Sequence, residues 1–232
     1  MLDALIRRLR RDDTAERVAF REDPRSRWLV SFPRTGSHWL RMMLERATDR
    51  PLLPRSFYDH RRRDFLLNHS HDLDFSCRSQ RVVYLYRDPV PTVFSQIKFY
   101  EGDPFDEHLV ELWSTIYRLH LRHWLHRPRT QQLTIRYEQM KRDTVAAVGA
   151  VLDFVGHPMS PEAIADAAAG VDKATVAERA AHDPRVMNRD ADYEDQWQAF
   201  AQRFGDPIRR AVIDGGELQP FFPEWTVNSA AA

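Results

Sequence analysis

Residues 28–40 read Trp28-Leu29-Val30-Ser31-Phe32-Pro33-Arg34-Thr35-Gly36-Ser37-His38-Trp39-Leu40. The first five form a short apolar run stopped by Pro33, which predicts a buried strand over 28–32. Arg34 to Ser37 predict a tight turn. After it, Trp39, Leu40, Met42, Met43, Leu44 and Ala47 have the mixed spacing of a helix packed on a sheet. Strand, glycine-containing turn and helix in succession open a phosphate-binding α/β domain, because the turn aims several backbone N–H groups at one point where the helix dipole also favours an anion. Gly36 lets the backbone approach a phosphate closely, and Thr35 and Ser37 add hydroxyl donors. The turn is not a Walker A loop, which needs two glycines and a following lysine. Taken alone, many strand–turn–helix junctions look like this.

Working outward, Arg81-Val82-Val83-Tyr84-Leu85-Tyr86 is the clearest strand, ending at Arg87-Asp88-Pro89 with a helix over about 90–100. Phe65-Leu66-Leu67-Asn68 predicts a short strand leading into His69-Ser70-His71-Asp72, and Gln132–Tyr137 a third strand after 28–32 and 81–86. A long helix is expected over 106–126, with Leu109, Leu112, Trp113, Ile116, His120 and Trp124 along one stripe. Another has Val145, Val148, Val151, Leu152 and Val155 on its face, and a small-residue helix runs from Pro161 to Gly170. Residues 190–204 are acidic and aromatic. Strands alternating with helices predict an α/β fold with a central parallel sheet covered on both faces. One domain over 1–232 is expected, with 1–24 a charged lead-in helix bearing Leu2, Leu5, Ile6 and Leu9 on one face; it either docks on the domain or touches a membrane surface.

The 232 residues are 43% hydrophobic and 29% charged, enough for a sizeable core, and Lys plus Arg equals Asp plus Glu at 34. That balance argues against a nucleic-acid binder. The charge is unevenly spread: residues 1–100 carry 20 Lys and Arg against 13 Asp and Glu, and the rest 14 against 21. Thirty-one of the cations are arginine, the forked donor suited to phosphate, although coding bias produces the same preference. An anionic ligand is therefore expected in the first hundred residues. One cysteine, Cys77, excludes an intrachain disulfide framework and a multi-cysteine zinc site. With no long apolar run and no secretory leader pattern, a reduced, cytoplasmic protein is expected.

Three segments, in order, resemble the PAPS-dependent sulfotransferase family, which transfers sulfuryl from 3′-phosphoadenosine 5′-phosphosulfate. Pro33-Arg34-Thr35-Gly36-Ser37-His38-Trp39-Leu40 is similar to the family's phosphosulfate loop, Pro-Lys-Ser-Gly-Thr-Thr-Trp-Leu. Val82–Pro89 with Ser95 resembles its strand, Arg-x-Pro and following serine. Tyr137-Glu138-Gln139-Met140 through Phe154-Val155-Gly156 resembles its third segment. The match spans residues 28–157 and implies a P-loop-like fold binding PAPS, with PAP as the product.

The resemblance also implies roles. Arg34 stands where the family has a loop lysine that stabilises charge on the bridging oxygen. Thr35, Gly36, Ser37 and His38 complete the loop, with His38 in place of a threonine. Trp39 and Tyr137 match residues at the adenine, and Arg87 and Ser95 the 3′-phosphate ligands. Met187-Asn188-Arg189 before Asp195-Gln196-Trp197 stands in loosely for the family's last nucleotide segment, with Arg189 on the 3′-phosphate. The acceptor hydroxyl needs a general base. His71 is the expected one and His69 its rival, with Asp72 able to assist; the remaining histidines, His120 among them, read as surface or packing residues. No metal is expected, and the acceptor is a small-molecule, glycan or lipid-linked hydroxyl or amine. A P-loop small-molecule or nucleotide kinase, and a non-catalytic PAP-binding relative, are the alternatives. Nothing in the sequence speaks to oligomeric state.

Overall fold

The computed structural model describes residues 14–62, 64–126, 131–181, 183–186, 191–213 and 216–225. Most of the expected lead-in, residues 1–13, lies outside these; what is described of it is helix α1 (Ala15–Glu22), capped by the Thr14 hydroxyl. Among the described residues four strands follow, β1 (Arg27–Ser31), β2 (Asn68–Ser70), β3 (Arg81–Tyr86) and β4 (Gln131–Arg136). They form one sheet in the order β2-β1-β3-β4, every pairing parallel. The register sets Leu29 beside His69 and Val83, and Val83 beside Leu133.

Successive side chains on a strand point to opposite faces, and here both faces are covered. Val30, Val82, Tyr84 and Tyr86 join one core, with Phe32, Phe94, Tyr117, Trp124 and Phe200. Leu29, Val83, Leu85 and Ile135 join the other, with Leu40, Leu44, Val148 and Leu152. This is why β3 reads as an unbroken apolar run from Val82 to Tyr86. The helices that supply those cores are α2 (Ser37–Thr48), α3 (Pro89–Phe99), α4 (Glu107–Leu121), α5 (Tyr137–Arg142), α6 (Thr144–Phe154), α7 (Pro161–Ala169), α8 (Lys173–Arg179) and α9 (Tyr193–Ile213).

Several boundaries differ from the sequence-based expectation. β1 starts and ends one residue earlier than 28–32, leaving Phe32 fully buried just past its end. The strand expected over 65–68 is β2 at Asn68–Ser70, so His69 lies within it rather than after it; Asn68, His69 and Ser70 are the residues that find partners on β1. The helix expected over 106–126 is α-helical to Leu121 and finishes in a wider π turn, Arg122–His126. Leu112 leaves its apolar stripe and is exposed. Tyr137 opens α5 instead of closing β4. The acidic aromatic stretch is the start of α9, whose Phe200, Phe204, Ile208 and Val212 recur every fourth residue on its buried face and carry the helix through Pro207.

Candidate active site

In a parallel sheet every strand delivers its following loop to the same edge, and ligands bind where the strand order reverses. Here the chain leaves β1 for β2 on one side and later returns to β3 on the other. That reversal puts the candidate site beyond the ends of β1 and β3, where the sequence places Arg34 and Arg87.

Arg34 (φ +70°) and Gly36 (φ +93°) both take the left-handed conformation in the turn. At Gly36 a side chain is impossible for a second reason: a Cβ would lie 2.5 Å from the Tyr137 ring. Gly36 caps α2 without any side-chain hydrogen bond, and no acidic residue sits in that helix's first turn. The N–H groups and positive dipole end are thus left to an external anion. Ser37, the first helical residue, is buried at this point. The Thr35 hydroxyl donates to the Phe32 carbonyl at 2.7 Å and is spent on closing the turn. The His38 ring lies 5.2 Å from the Phe57 ring.

The three resembling segments meet. Arg34 Nε donates to Ser95 Oγ at 2.9 Å, and its terminal nitrogen to the Val186 carbonyl at 2.8 Å. Arg87 donates to the Arg34 carbonyl at 3.2 Å, and its guanidinium lies 4.6 Å above the Tyr137 ring. Its Nε is buried with no partner among the described residues, a donor left for a ligand. The Arg87 backbone is pinned by Tyr117, whose hydroxyl donates to the Arg87 carbonyl at 2.8 Å. Trp39 packs edge-to-face on Tyr137 at 6.1 Å, and its indole N–H donates to the Val171 carbonyl at 2.9 Å. Tyr193, which sequence reasoning missed, brings its hydroxyl to Ser95, with the charges of Arg87 and Arg34 close by; burial, opposed by those charges, raises its pKa. Its place two residues before Asp195, in a loosely matched stretch, gave no usable signal. Arg189 lies outside the described residues.

The two candidate bases sit at the end of β2. His71 Nδ1 is 2.8 Å from the Ser31 carbonyl, which can only accept, so that nitrogen carries the proton and Nε2 keeps its lone pair. Burial lowers the His71 pKa, the charges of Arg41 and Arg34 add to this, and the Ser31 carbonyl opposes it. His69 is more deeply buried: its Nε2 lies 3.1 Å from Ser31 Oγ, and burial takes its pKa well down. The rings stand edge-to-face at 4.8 Å. His120, read from sequence as a packing or surface residue, is part of this arrangement. Its Nε2–H donates to the His71 carbonyl at 2.9 Å, leaving Nδ1 to accept from the Tyr84 hydroxyl, also at 2.9 Å. No local pattern could reveal a partner 49 residues away. Asp72 uses one carboxylate oxygen on the Cys77 N–H at 2.7 Å. Among the described residues no three His, Cys, Asp or Glu side chains form a group able to hold a metal.

The model of the "Sulfotransferase family" matches residues 67–161, which hold His69, His71, Arg87, Ser95 and Tyr137. This stretch is similar to that family's sequence. A curated sulfotransferase, flavonol 3-sulfotransferase of Flaveria bidentis, is 28% identical over 189 residues, 62% of this chain; the chain spans 60% of that relative's length. Among solved structures, mouse sulfotransferase SULT7A1 complexed with PAP superposes with a TM-score of 0.60 at 19% identity, covering 89% of this chain and 90% of that one. Retinol dehydratase in complex with androsterone and inactive cofactor PAP gives 0.53 at 11% identity, covering 83% and 82%. The parallel sheet with its flanking helices is therefore the sulfotransferase fold.

Proposed function

We propose that this sulfotransferase-family protein transfers a sulfuryl group from PAPS to a hydroxyl or amine of a small-molecule, glycan or lipid-linked acceptor. The observation that carries the reading is the junction of its three segments, with Arg34 on Ser95 and Arg87 between the Arg34 carbonyl and the Tyr137 ring. The site suits a nucleotide with an extra phosphate: an uncapped helix N-terminus, a buried unpartnered Arg87 Nε, and a glycine against which a ring already lies. PAPS, when bound, supplies the sulfuryl group and a phosphate leaving group.

The chain's residues divide the remaining work. Arg87 and Ser95, with Arg189 as expected from sequence, hold the 3′-phosphate; Tyr193 stands beside them. Gly36, Ser37, His38 and the α2 N–H groups hold the 5′ side, while Thr35 shapes the turn and Trp39 and Tyr137 wall the base. Arg34 places permanent charge where negative charge grows in the transition state, the most effective use of a fixed cation. His71 Nε2 receives the acceptor's proton as its oxygen attacks sulfur. The Ser31 carbonyl fixes the tautomer that leaves Nε2 free, and His120 fixes the backbone that carries the ring. His69, whose Nε2 faces Ser31, shapes the wall behind it.

The test is calorimetry with PAP, and with ADP and ATP with and without magnesium, followed by labelled-sulfate transfer to a panel of hydroxyl acceptors. PAP binding without magnesium, and transfer, are expected; magnesium-dependent ATP binding in place of PAP would point to a kinase. His71→Ala should lower turnover by roughly 10²–10⁴-fold while PAP affinity stays within a few-fold. Because the folded pKa of His71 lies below 6.5, wild-type activity should fall only as pH drops below that value, and the acid limb should vanish in the variant. A wild-type rate in His71→Ala would remove it from the mechanism.

A further inference from the structure

Arg41 lies on α2, one turn beyond the phosphate-binding loop, and is only 4% exposed. A guanidinium has five N–H donors and stays charged, so one taken out of water needs acceptors and a counter-charge. Arg41 has little of either. One terminal nitrogen donates to the Arg55 carbonyl, the group lies 4.6 Å over the Phe57 ring, and its buried Nε has no partner. Glu45, four residues on, is the carboxylate whose charge acts on it, yet no ion pair joins the two. Glu45 Oε2 accepts from the Phe57 N–H at 2.7 Å and the Tyr58 N–H at 3.3 Å and lies 3.0 Å from His60 Nε2, while its Oε1 is buried without a hydrogen-bond partner, so neither group is turned on the other. Burial accordingly lowers Arg41 to about 10 and raises Glu45, whereas a satisfied pair would hold both ionised.

The surroundings place this cation at the acceptor side of the site. Phe57, under Arg41, meets the His38 ring at 5.2 Å, and after burial Arg41 is the first charge acting on both His69 and His71 by disfavouring their protonated forms. The neighbouring charge of Arg55 adds a second cation. We infer that the acceptor carries an oxyanion in addition to its reacting hydroxyl, and that Arg41, through its unpartnered Nε–H, receives it. This rests on the transferase reading and adds the substrate class: hydroxylated carboxylates, or their sulfonate equivalents, rather than neutral alcohols and phenols. A carboxylate oxygen accepting from a guanidinium N–H forms a short, charge-assisted bond, which would hold the hydroxyl in one position relative to His71.

Three phenolic probes decide it: phenol, 4-hydroxybenzoate and 4-hydroxybenzenesulfonate, titrated calorimetrically into the PAP-loaded protein and assayed for sulfuryl transfer with PAPS. The wild type should bind and turn over both anionic probes at least tenfold better than phenol, and comparison of the two names the oxyanion. Arg41→Met should erase the preference while leaving PAP affinity unchanged; Arg41→Lys should keep part of it. Equal handling of the three probes by the wild type overturns the inference without any variant having to fold. So does a preference that survives in Arg41→Met, or a pattern in which Arg41→Met and Glu45→Gln merely lose stability alike. If PAP binds but no probe is sulfated while anionic probes still bind through Arg41, the acceptor assignment falls; if PAP itself does not bind, it is the transferase reading that falls.

Discussion

Asp88 shows two effects in opposition at one residue. Its side chain caps α3 by accepting from the Val90 N–H at 2.8 Å, a position where a negative charge is favoured by the helix dipole. Burial nevertheless pushes its carboxyl up to about 6, the Val90 bond opposing and Glu138 adding repulsion. Unfolded, the group ionises near 3.8. Between about 4 and 6 the folded protein keeps a proton that the unfolded chain releases, so stability falls as pH rises through that window, by about 3 kcal/mol at most. Asp88→Asn keeps a capping oxygen without the charge. Urea melts should show it more stable than the wild type at pH 7.5 and nearly equal at pH 4; the same difference at both would mean that the buried charge costs nothing. At this scale sequence reading is strongest where a residue acts through its neighbours in the chain, as Gly36 does, and weakest where it acts through distant ones. Thr35 was readable as a hydroxyl in a loop but not as one turned inward to Phe32, and Tyr193 and His120 became visible only once the sheet had brought them to Ser95 and His71.

Among elements, the loop between β1 and α2 is the most constrained. Gly36→Ala must accommodate a Cβ 2.5 Å from the Tyr137 ring and a φ of +93°, which costs an L-residue roughly 1–2 kcal/mol even without the clash. PAP affinity should fall at least tenfold. Gly36→Ala with Tyr137→Ala should recover less than the whole loss, since removing the ring leaves the backbone cost. Full recovery would show that only the ring matters. The strands were legible because both faces are buried: Val82 to Tyr86 form an uninterrupted apolar run, and parallel pairing follows from the helices between strands. Helix ends were less so. The change from α to π at Arg122 has no local mark, and Pro207 reads as a breaker although Phe204 and Ile208 on either side anchor α9 to the core.

At the scale of the whole molecule, the proposed nucleotide site is assembled from the ends of three strands, the 3₁₀ turn Pro184–Val186 and the start of α9. A ligand that bridges these should stabilise the entire fold. PAP at a hundred times its Kd contributes about 2.7 kcal/mol, which for a chain of this size raises Tm by roughly 5–10 °C. ADP, lacking the 3′-phosphate, should give a smaller rise at the same concentration, and Arg87→Ala should bring the two together. Identical shifts for PAP and ADP in the wild type would argue against a 3′-phosphate pocket. The same construction has a consequence for β3. Its residues alternate between the two cores, so a single six-residue strand is the party wall of both, and its last side chain stands directly before Arg87. Neither half can loosen in private. A cavity cut beneath Tyr84 or beneath Leu85, on opposite sides of the sheet, will be felt through the same strand, and will resemble damage to the ligand site in an activity screen.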